Sequence, residues 1–212
     1  MDLERKFNMT SADLKQLEAR VTRLEDILEI ETLQNRYMHW LCLGRGDKIV
    51  DLFALKTSGV SAEAGDSGLF VGIEGIKRHF KVGSEKKPVI GHYAENHAVN
   101  PVIEVAEDGK TAKGVWFVPG MVADPDRKSQ GWTFGKYDND YVKEGGKWKI
   151  WHLHWVQTFE TEFDKGWLYQ QEIAITSMRL PPWYPPDKET TRHMPYSPYR
   201  INYMVPEPPE PE

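Results

Sequence analysis

The sequence holds a single cysteine, Cys42, among 212 residues. One thiol excludes an internal disulfide framework and fits a reducing compartment. No apolar run approaches the roughly 20 residues needed to cross a bilayer. The N-terminal residues also lack the apolar stretch of a signal peptide. We therefore expect a cytoplasmic protein with no membrane partner.

Positive charge is not in excess either. Lysine and arginine number 27 against 32 aspartate and glutamate residues, which gives a formal charge of −5. The basic residues are scattered among the acidic ones, whereas a nucleic-acid-binding surface concentrates them against phosphates. The composition therefore predicts no nucleic-acid partner.

Aromatic residues, by contrast, are abundant, with 8 Trp and 9 Tyr, and most of them lie after residue 110. Large rings fill a core, line a ligand cavity or cover a subunit contact equally well. The 40% hydrophobic content supports one ordinary core. We predict a flexible N-terminus at 1–10, one α+β domain at 11–167, and a proline-rich C-terminal extension at 168–212. The extension is expected to be partly disordered, from about residue 205 onward.

The N-terminal region shows apolar residues at alternating spacings of three and four, which predicts a helix with a two-heptad seam. The seam residues are Leu14, Leu17, Val21, Leu24 and Leu28. Thr10 and Ser11 are candidate N-caps, and Gly44 and Gly46 are stop signals for one bent helix or two consecutive helices over 11–43. The seam either packs on a helix of the same chain or forms a subunit contact.

The rest of the domain changes from helical to strand periodicity near residue 92. Short helices are predicted at 47–53 and 72–80, with a loop and at most a weak strand at 57–68. Two hairpins follow, 102–106 with 111–118 and 132–142 with 148–159, separated by a polar loop at 119–130.

This order of elements resembles the SnoaL-like branch of the nuclear transport factor 2 superfamily. The resemblance rests on three segments: Arg23 to Tyr37, His97 to Val105, and Tyr137 to Ile150 with its Gly-Gly-Lys-Trp-Lys-Ile turn. It implies a cone-shaped α+β barrel, in which N-terminal helices pack on a curved antiparallel or mixed sheet around an aromatic-lined pocket. The acidic and aromatic run from Gln157 to Trp167 is most similar to scytalone dehydratase and bile acid 7α-dehydratase.

The resemblance implies a cofactor-independent lyase, most simply a dehydratase, that acts on a hydrophobic ring compound carrying a carbonyl and uses no metal. An imidazole with a pKa near 6.5 suits proton abstraction, and His97 is the expected general base, with His92 as the alternative. Tyr37 would polarise the carbonyl.

The substrate-binding residues implied by the same resemblance are polar groups for the substrate oxygens and indoles for its ring. They are Gln157, Tyr137, Trp116, Trp151 and Trp155. Alternatives are a ketosteroid-type isomerase or cyclase, and a non-catalytic binder of aromatic ligands or assembly module. A homo-oligomer, dimer or trimer, is expected because the seam and the aromatic tail supply apolar surface.

One departure from the resemblance concerns the carboxylate that should pair with the histidine. The helix aspartate of the bile acid enzyme falls on Cys42. Candidate replacements are Asp138, Asp140, Glu95 and Glu160, and the sequence does not choose among them.

A second open question concerns the run Trp151-His-Leu-His-Trp155. Strand alternation places His152 and His154 on one face and Trp151, Trp155 and Gln157 on the other. An inward Gln157 puts the tryptophans in the pocket. The opposite register would place a His-x-His pair inside, with the spacing of two metal ligands.

Overall fold

The computed structural model describes residues 10–85, 89–126, 128–170, 185–192 and 194–210. Its helices are α1 (Ser11–Cys42), α2 (Gly46–Val50) and α3 (Gly72–Glu85). Its strands are β1 (Ser61–Ala64), β2 (Leu69–Val71), β3 (Tyr93–Asn96), β4 (Val99–Val105), β5 (Thr111–Asp124), β6 (Ser129–Glu144) and β7 (Lys147–Glu162). None of the described helices is both long and apolar enough to span a membrane.

The strands form one sheet in the order β2-β1-β7-β6-β5-β3, and β4 also pairs with β5. All pairs are antiparallel except β1 with β7, which is parallel. Register shifts between β6 and β7 at Phe134/Gly135 and at Asp140/Tyr141 mark bulges, which bend the long strands. The predicted fold class is confirmed: helices pack on one face of a curved, mixed and unclosed sheet.

The loop predicted at 119–130 is wrong, because β5 continues to Asp124 and β6 begins at Ser129. Pro119 suggested a break, since proline donates no backbone hydrogen bond. It lies within β5 instead, where its carbonyl accepts a 3.0 Å hydrogen bond from the His97 N–H. The weak strand expected within 57–68 is present as β1.

Helix α1 begins with a capping box, in which Thr10 and Asp13 each accept a backbone hydrogen bond from the other residue. Its buried side includes Asp26, Ile30, Leu33 and Tyr37. The five seam residues are instead 44% to 66% exposed. The interpretation that the seam packs on a helix of the same chain is therefore wrong for the residues that the structure describes.

Asp26 joins α1 to the sheet by polar contacts, and it is only 5% exposed. The Trp148 indole N–H donates to Asp26 Oδ1 at 2.8 Å, and Lys143 Nζ lies 2.6 Å from the same oxygen. The backbone N–H of Trp148 donates to Glu29 at 3.0 Å. These contacts attach α1 to the hairpin formed by β6 and β7.

Residues 194–206, which we call the C-terminal segment, pack on the sheet face opposite α1. We call this face the outer face. Lys136 Nζ donates to the carbonyls of Met204 and Pro206 at 3.1 and 2.8 Å, and lies 4.8 Å from the centre of the Phe117 ring. Burial lowers the pKa of Lys136. Pro206 is buried in this contact.

We predict that Asp26→Ala lowers the free energy of unfolding by about 2–3 kcal/mol, because the Lys143 ammonium and the Trp148 N–H lose a shared buried acceptor. Urea unfolding measures the change. Glu18→Ala, on the exposed part of the same helix, is the control and should change it by no more than about 0.5 kcal/mol. Equal effects of the two substitutions would contradict the assigned role of Asp26.

Candidate functional site

Alternation along β6 places Thr133, Gly135 and Tyr137 on the same face of the sheet, the one that α1 covers. Their partners on β7 are Glu160, Gln157 and Trp155, respectively. We call Tyr37, Thr133, Tyr137, Trp155, Gln157 and Glu160 the inner-face cluster. The cluster brings together four of the residues expected from the sequence: Tyr37, Tyr137, Trp155 and Gln157.

Two tyrosines from different elements meet in this cluster. The hydroxyl oxygens of Tyr37 and Tyr137 are 3.3 Å apart, and their rings pack edge to face with centres separated by 5.6 Å. Both side chains are about 3% exposed. Burial raises the pKa of both phenols, so each remains a neutral hydrogen-bond donor at physiological pH.

Two other polar groups in the cluster have no hydrogen-bond partner among the residues that the structure describes. The indole nitrogen Nε1 of Trp155 and the hydroxyl of Thr133 are both buried and unpaired. The indole lies against Gly135, where an added Cβ would stand 2.8 Å from Nε1. Buried polar groups are almost always paired, so these two indicate where a ligand atom would bind. Sequence reasoning missed Thr133, although it lies four residues before Tyr137 on the same strand face.

The cluster also holds a carboxylate. Glu160 is fully buried, and its Oε2 accepts a hydrogen bond from Gln157 Nε2 at 3.1 Å. Of the four replacement carboxylates considered from the sequence, alternation places Glu160 on the inner face and Asp138 and Asp140 on the outer face. Glu160 is therefore the candidate that lies with the tyrosines.

The C-terminal end of α1 and strand β3 border the cluster. Cys42 Sγ lies 3.3 Å from the Asn96 backbone nitrogen. The Asn96 side chain lies over Gly120, which pairs with Thr133 on the inner face. At the position where a carboxylate was expected, the chain thus has a thiol in contact with backbone.

His97 lies elsewhere. Because Asn96 points over the inner face, strand alternation turns His97 outward, and its side chain is 47% exposed. Its Nε2 is 3.2 Å from Glu95 Oε1. The structure does not bring His97 together with Tyr37, and its role as base stays a prediction. His92 is also exposed, in the turn before β3.

The remaining tryptophans do not join the cluster. Trp116 packs edge to face on Tyr141 and is 1% exposed, so it is part of the hydrophobic core. Trp151 occupies the bulge of β7, where its indole N–H donates to the Ser58 carbonyl at 2.9 Å. That contact directs the ring toward the loop before β1.

His152 and His154 project from the outer face. His152 Nδ1 is 2.8 Å from Asp140 Oδ2, and His154 Nε2 is 3.4 Å from Glu63 Oε1. Burial is the main cause that lowers the pKa of His154. The described residues contain no group of three side chains arranged to hold a metal ion. The position of His152 and His154 on the outer face matches the alternative in which Gln157 faces inward.

Two grooves lie under the C-terminal segment on the outer face. One, of about 220 Å³, is bordered by Lys136, Thr158 and Tyr196, and the other, of about 590 Å³, by Lys113, Asp138 and Arg192. The sheet separates both from the inner-face cluster. Neither groove is lined by Trp155 or Thr133.

Several solved structures share this fold at low sequence identity. A proposed scytalone dehydratase from Novosphingobium aromaticivorans matches with a TM-score of 0.57 at 19% identity, over 68% of this chain and 91% of that chain. The hexachlorocyclohexane dehydrochlorinase LinA-type3 from Novosphingobium barchaimii matches with a TM-score of 0.57 at 15% identity, over 68% and 94%. A proposed aromatic ring hydroxylase from Novosphingobium aromaticivorans matches with a TM-score of 0.53 at 22% identity, over 66% and 94%.

No curated protein matches the chain. The family model described as a SnoaL-like domain matches residues 22–154, which include α1 from its fourth turn onward and the first half of β7. The match covers more than half of the sequence. The chain belongs to the SnoaL-like domain family of the nuclear transport factor 2 superfamily.

Proposed function

We propose that the chain is a cofactor-independent lyase that binds a hydrophobic, carbonyl-containing ring compound in the inner-face cluster and eliminates water from it. The observation that carries this proposal is the pair of buried, unpaired polar groups, Trp155 Nε1 and the Thr133 hydroxyl. A ligand oxygen would satisfy them, while the surrounding rings would contact an apolar ring. The names of two fold relatives, a dehydratase and a dehydrochlorinase, both describe eliminations.

The proposed reaction begins with Glu160 as general base. Its carboxylate removes a proton from the carbon next to the substrate carbonyl, and the electron pair of that C–H bond becomes the C=C bond of an enolate. Tyr37, which accepts a hydrogen bond from the Tyr137 hydroxyl, donates its own to the developing enolate oxygen. The enolate then reforms the carbonyl and expels the hydroxyl group, which leaves as water with the proton held by Glu160.

The sequence-based alternative places the base at His97, paired with Glu95. The distance of 3.2 Å between His97 Nε2 and Glu95 Oε1 favours it, because a carboxylate that orients an imidazole makes it a better base. Its geometric weakness is that the pair lies on the opposite face of β3 from Asn96. A substrate would have to reach around the edge strand to contact both His97 and Tyr37.

A second candidate function is ligand binding without turnover. The contact of Cys42 with Asn96 favours it, because the carboxylate expected from the family resemblance is replaced by a thiol. An isomerase would use the same enolate and differs only in where the proton returns. Product analysis separates the three functions: elimination lowers the mass by one water, isomerisation gives a new compound of unchanged mass, and binding gives no product.

The ligand site is tested with Trp155→Phe, which keeps a ring but removes the unpaired N–H. We expect ring-ketone binding, measured by fluorescence quenching, to weaken about tenfold for one lost hydrogen bond. The loss of ring packing lowers the free energy of unfolding, but no hydrogen bond to a described residue is lost with the N–H. Trp151→Phe is the matched control, which should lose stability with its bond to Ser58 while binding is unchanged. Unchanged binding by Trp155→Phe would reject the site.

The choice of base is tested with Glu160→Gln and His97→Ala in a turnover assay on ring ketones that bind. We expect Glu160→Gln to lower kcat at least about 100-fold while binding persists, and His97→Ala to retain kcat within about threefold. Glu162→Gln, on the same strand and paired with Lys165, controls for loss of a neighbouring charge. The opposite result would assign the base to His97, and saturable binding without conversion by the unmodified protein would replace the lyase proposal by a binding function.

The neutral phenols predict a pH dependence of stability. Burial raises the pKa of Tyr37, Tyr137 and Tyr141, whereas tyrosine in the unfolded chain ionises near pH 10. Stability from these groups is therefore complete below pH 10 and is lost above it, by about 1.4 kcal/mol per pH unit for each phenol. Urea unfolding at increasing pH measures the slope, which Tyr37→Phe should reduce. Tyr199→Phe, at a residue 94% exposed, should leave it unchanged, and an equal slope in both variants would contradict the prediction.

A further inference from the structure

The first part of α1 extends beyond the rest of the molecule. Residues 11–22 are all exposed, and at 1.5 Å per residue they form a projection of about 18 Å. Isolated helices of this length are marginal in water, and most helices in proteins are stabilised by packing an apolar face. The projection therefore needs a partner to cover its apolar side.

That apolar side is the seam, and it faces away from the sheet. Leu24 is two residues from the buried Asp26, and Leu28 is two residues from the buried Ile30, which separates each pair by about 200° around the helix. No described element packs on the seam. A partner could approach from this side without meeting the sheet or α3.

We propose that a second copy of the chain covers this seam, and that the two α1 helices form a short parallel two-stranded coiled coil. Leu14, Val21 and Leu28 take the a positions of a heptad, and Leu17 and Leu24 take the d positions. A β-branched residue at a with leucine at d favours two strands over three. The central Val21, between Leu17 and Leu24, has this arrangement.

The charged residues beside the seam select the parallel orientation. In a parallel pair a g residue faces the e residue five positions later on the other helix. Arg20 then faces Glu25 of the second copy, and this attraction occurs twice by symmetry. The remaining pair, Asp13 with Glu18, is repulsive, but the Asp13 carboxylate is already engaged by Thr10 in the capping box. In an antiparallel pair centred on the seam, Glu18 would face Glu25 twice, with no attraction in compensation.

The length of the seam limits the strength of the association. The next d and a positions are Glu31 and Asn35, so the apolar seam ends after two heptads. A dimer of this size forms at micromolar or higher concentration. The outer face of the sheet, in contrast, is partly covered by the chain's own residues 194–206, as the contacts of Lys136 with Met204 and Pro206 show.

Sedimentation equilibrium from about 1 to 200 µM tests the proposal on the full chain. We expect the mass to rise with concentration toward twice the chain mass of 24.5 kDa. Leu17→Lys and Leu24→Lys should each weaken dimerisation more than about 100-fold, because a charge replaces a d residue. Ala19→Lys adds the same charge at the exposed f position between them and should leave dimerisation unchanged. Circular dichroism checks that every variant keeps the helical fold.

A charge exchange tests the orientation. Arg20→Glu and Glu25→Arg should each weaken self-association about tenfold, since each creates two like-charge pairs. An equimolar mixture of the two variants should recover the dimer, because both pairs become attractive. In the antiparallel arrangement Glu25→Arg would instead strengthen self-association, which would overturn the parallel assignment. A monomer at 200 µM, a trimeric mass, or a dimer unaffected by Leu17→Lys and Leu24→Lys would overturn the proposal itself.

Discussion

The structure depends on a single helix held against a bent sheet by polar side chains that reach across the core. Asp26 receives the Trp148 indole and the Lys143 ammonium. About two turns further along, Gln34 Oε1 accepts hydrogen bonds from both Asn139 and Tyr141. Apolar packing alone is non-directional, whereas these bonds have fixed partners. They set where along α1 each residue of β6 and β7 must lie, and the positions of all other inner-face residues follow.

The same arrangement explains why a candidate site lies at one end of the core. Near Asp26 and Gln34 the buried polar atoms that α1 and the hairpin contribute are satisfied by each other. Toward the C-terminal end of α1, the Thr133 hydroxyl and the Trp155 Nε1 have no hydrogen-bond partner among the described residues. An unpaired buried donor costs free energy that a fold tends to avoid. The proposed binding site rests on two such groups, which lie in the same cluster as a carboxylate and two neutral phenols.

The sequence predicted α1, the two hairpins and the order of the elements because each has its own local signal. The capping residues Thr10 and Asp13 and the glycine turn at 145–146 act within a few positions. The loop expected around Pro119 shows the limit of such signals, since pairing with β6 along the whole of β5 outweighs one missing N–H. The site was predictable only in part. Tyr37, Tyr137, Trp155 and Gln157 lie in one cluster, and their roles stay predictions. The outward turn of His97 depends on the register of β3 against β5, which no local pattern encodes.

Helix α1 carries both the exposed seam and one wall of the inner-face cluster, and its geometry keeps the two separate. From Leu28 to Tyr37 is nine residues, or about 14 Å along the axis. The seam and the sheet lie on opposite sides of the helix, so a neighbour that packs on Leu24 does not contact Asp26 or Tyr37. The contacts of Asp26 and Glu29 with Trp148 hold the helix in one position on the sheet. Covering the seam would therefore stabilise the projecting turns of α1 without changing the spacing of the Tyr37 and Tyr137 hydroxyls, on which the proposed chemistry depends.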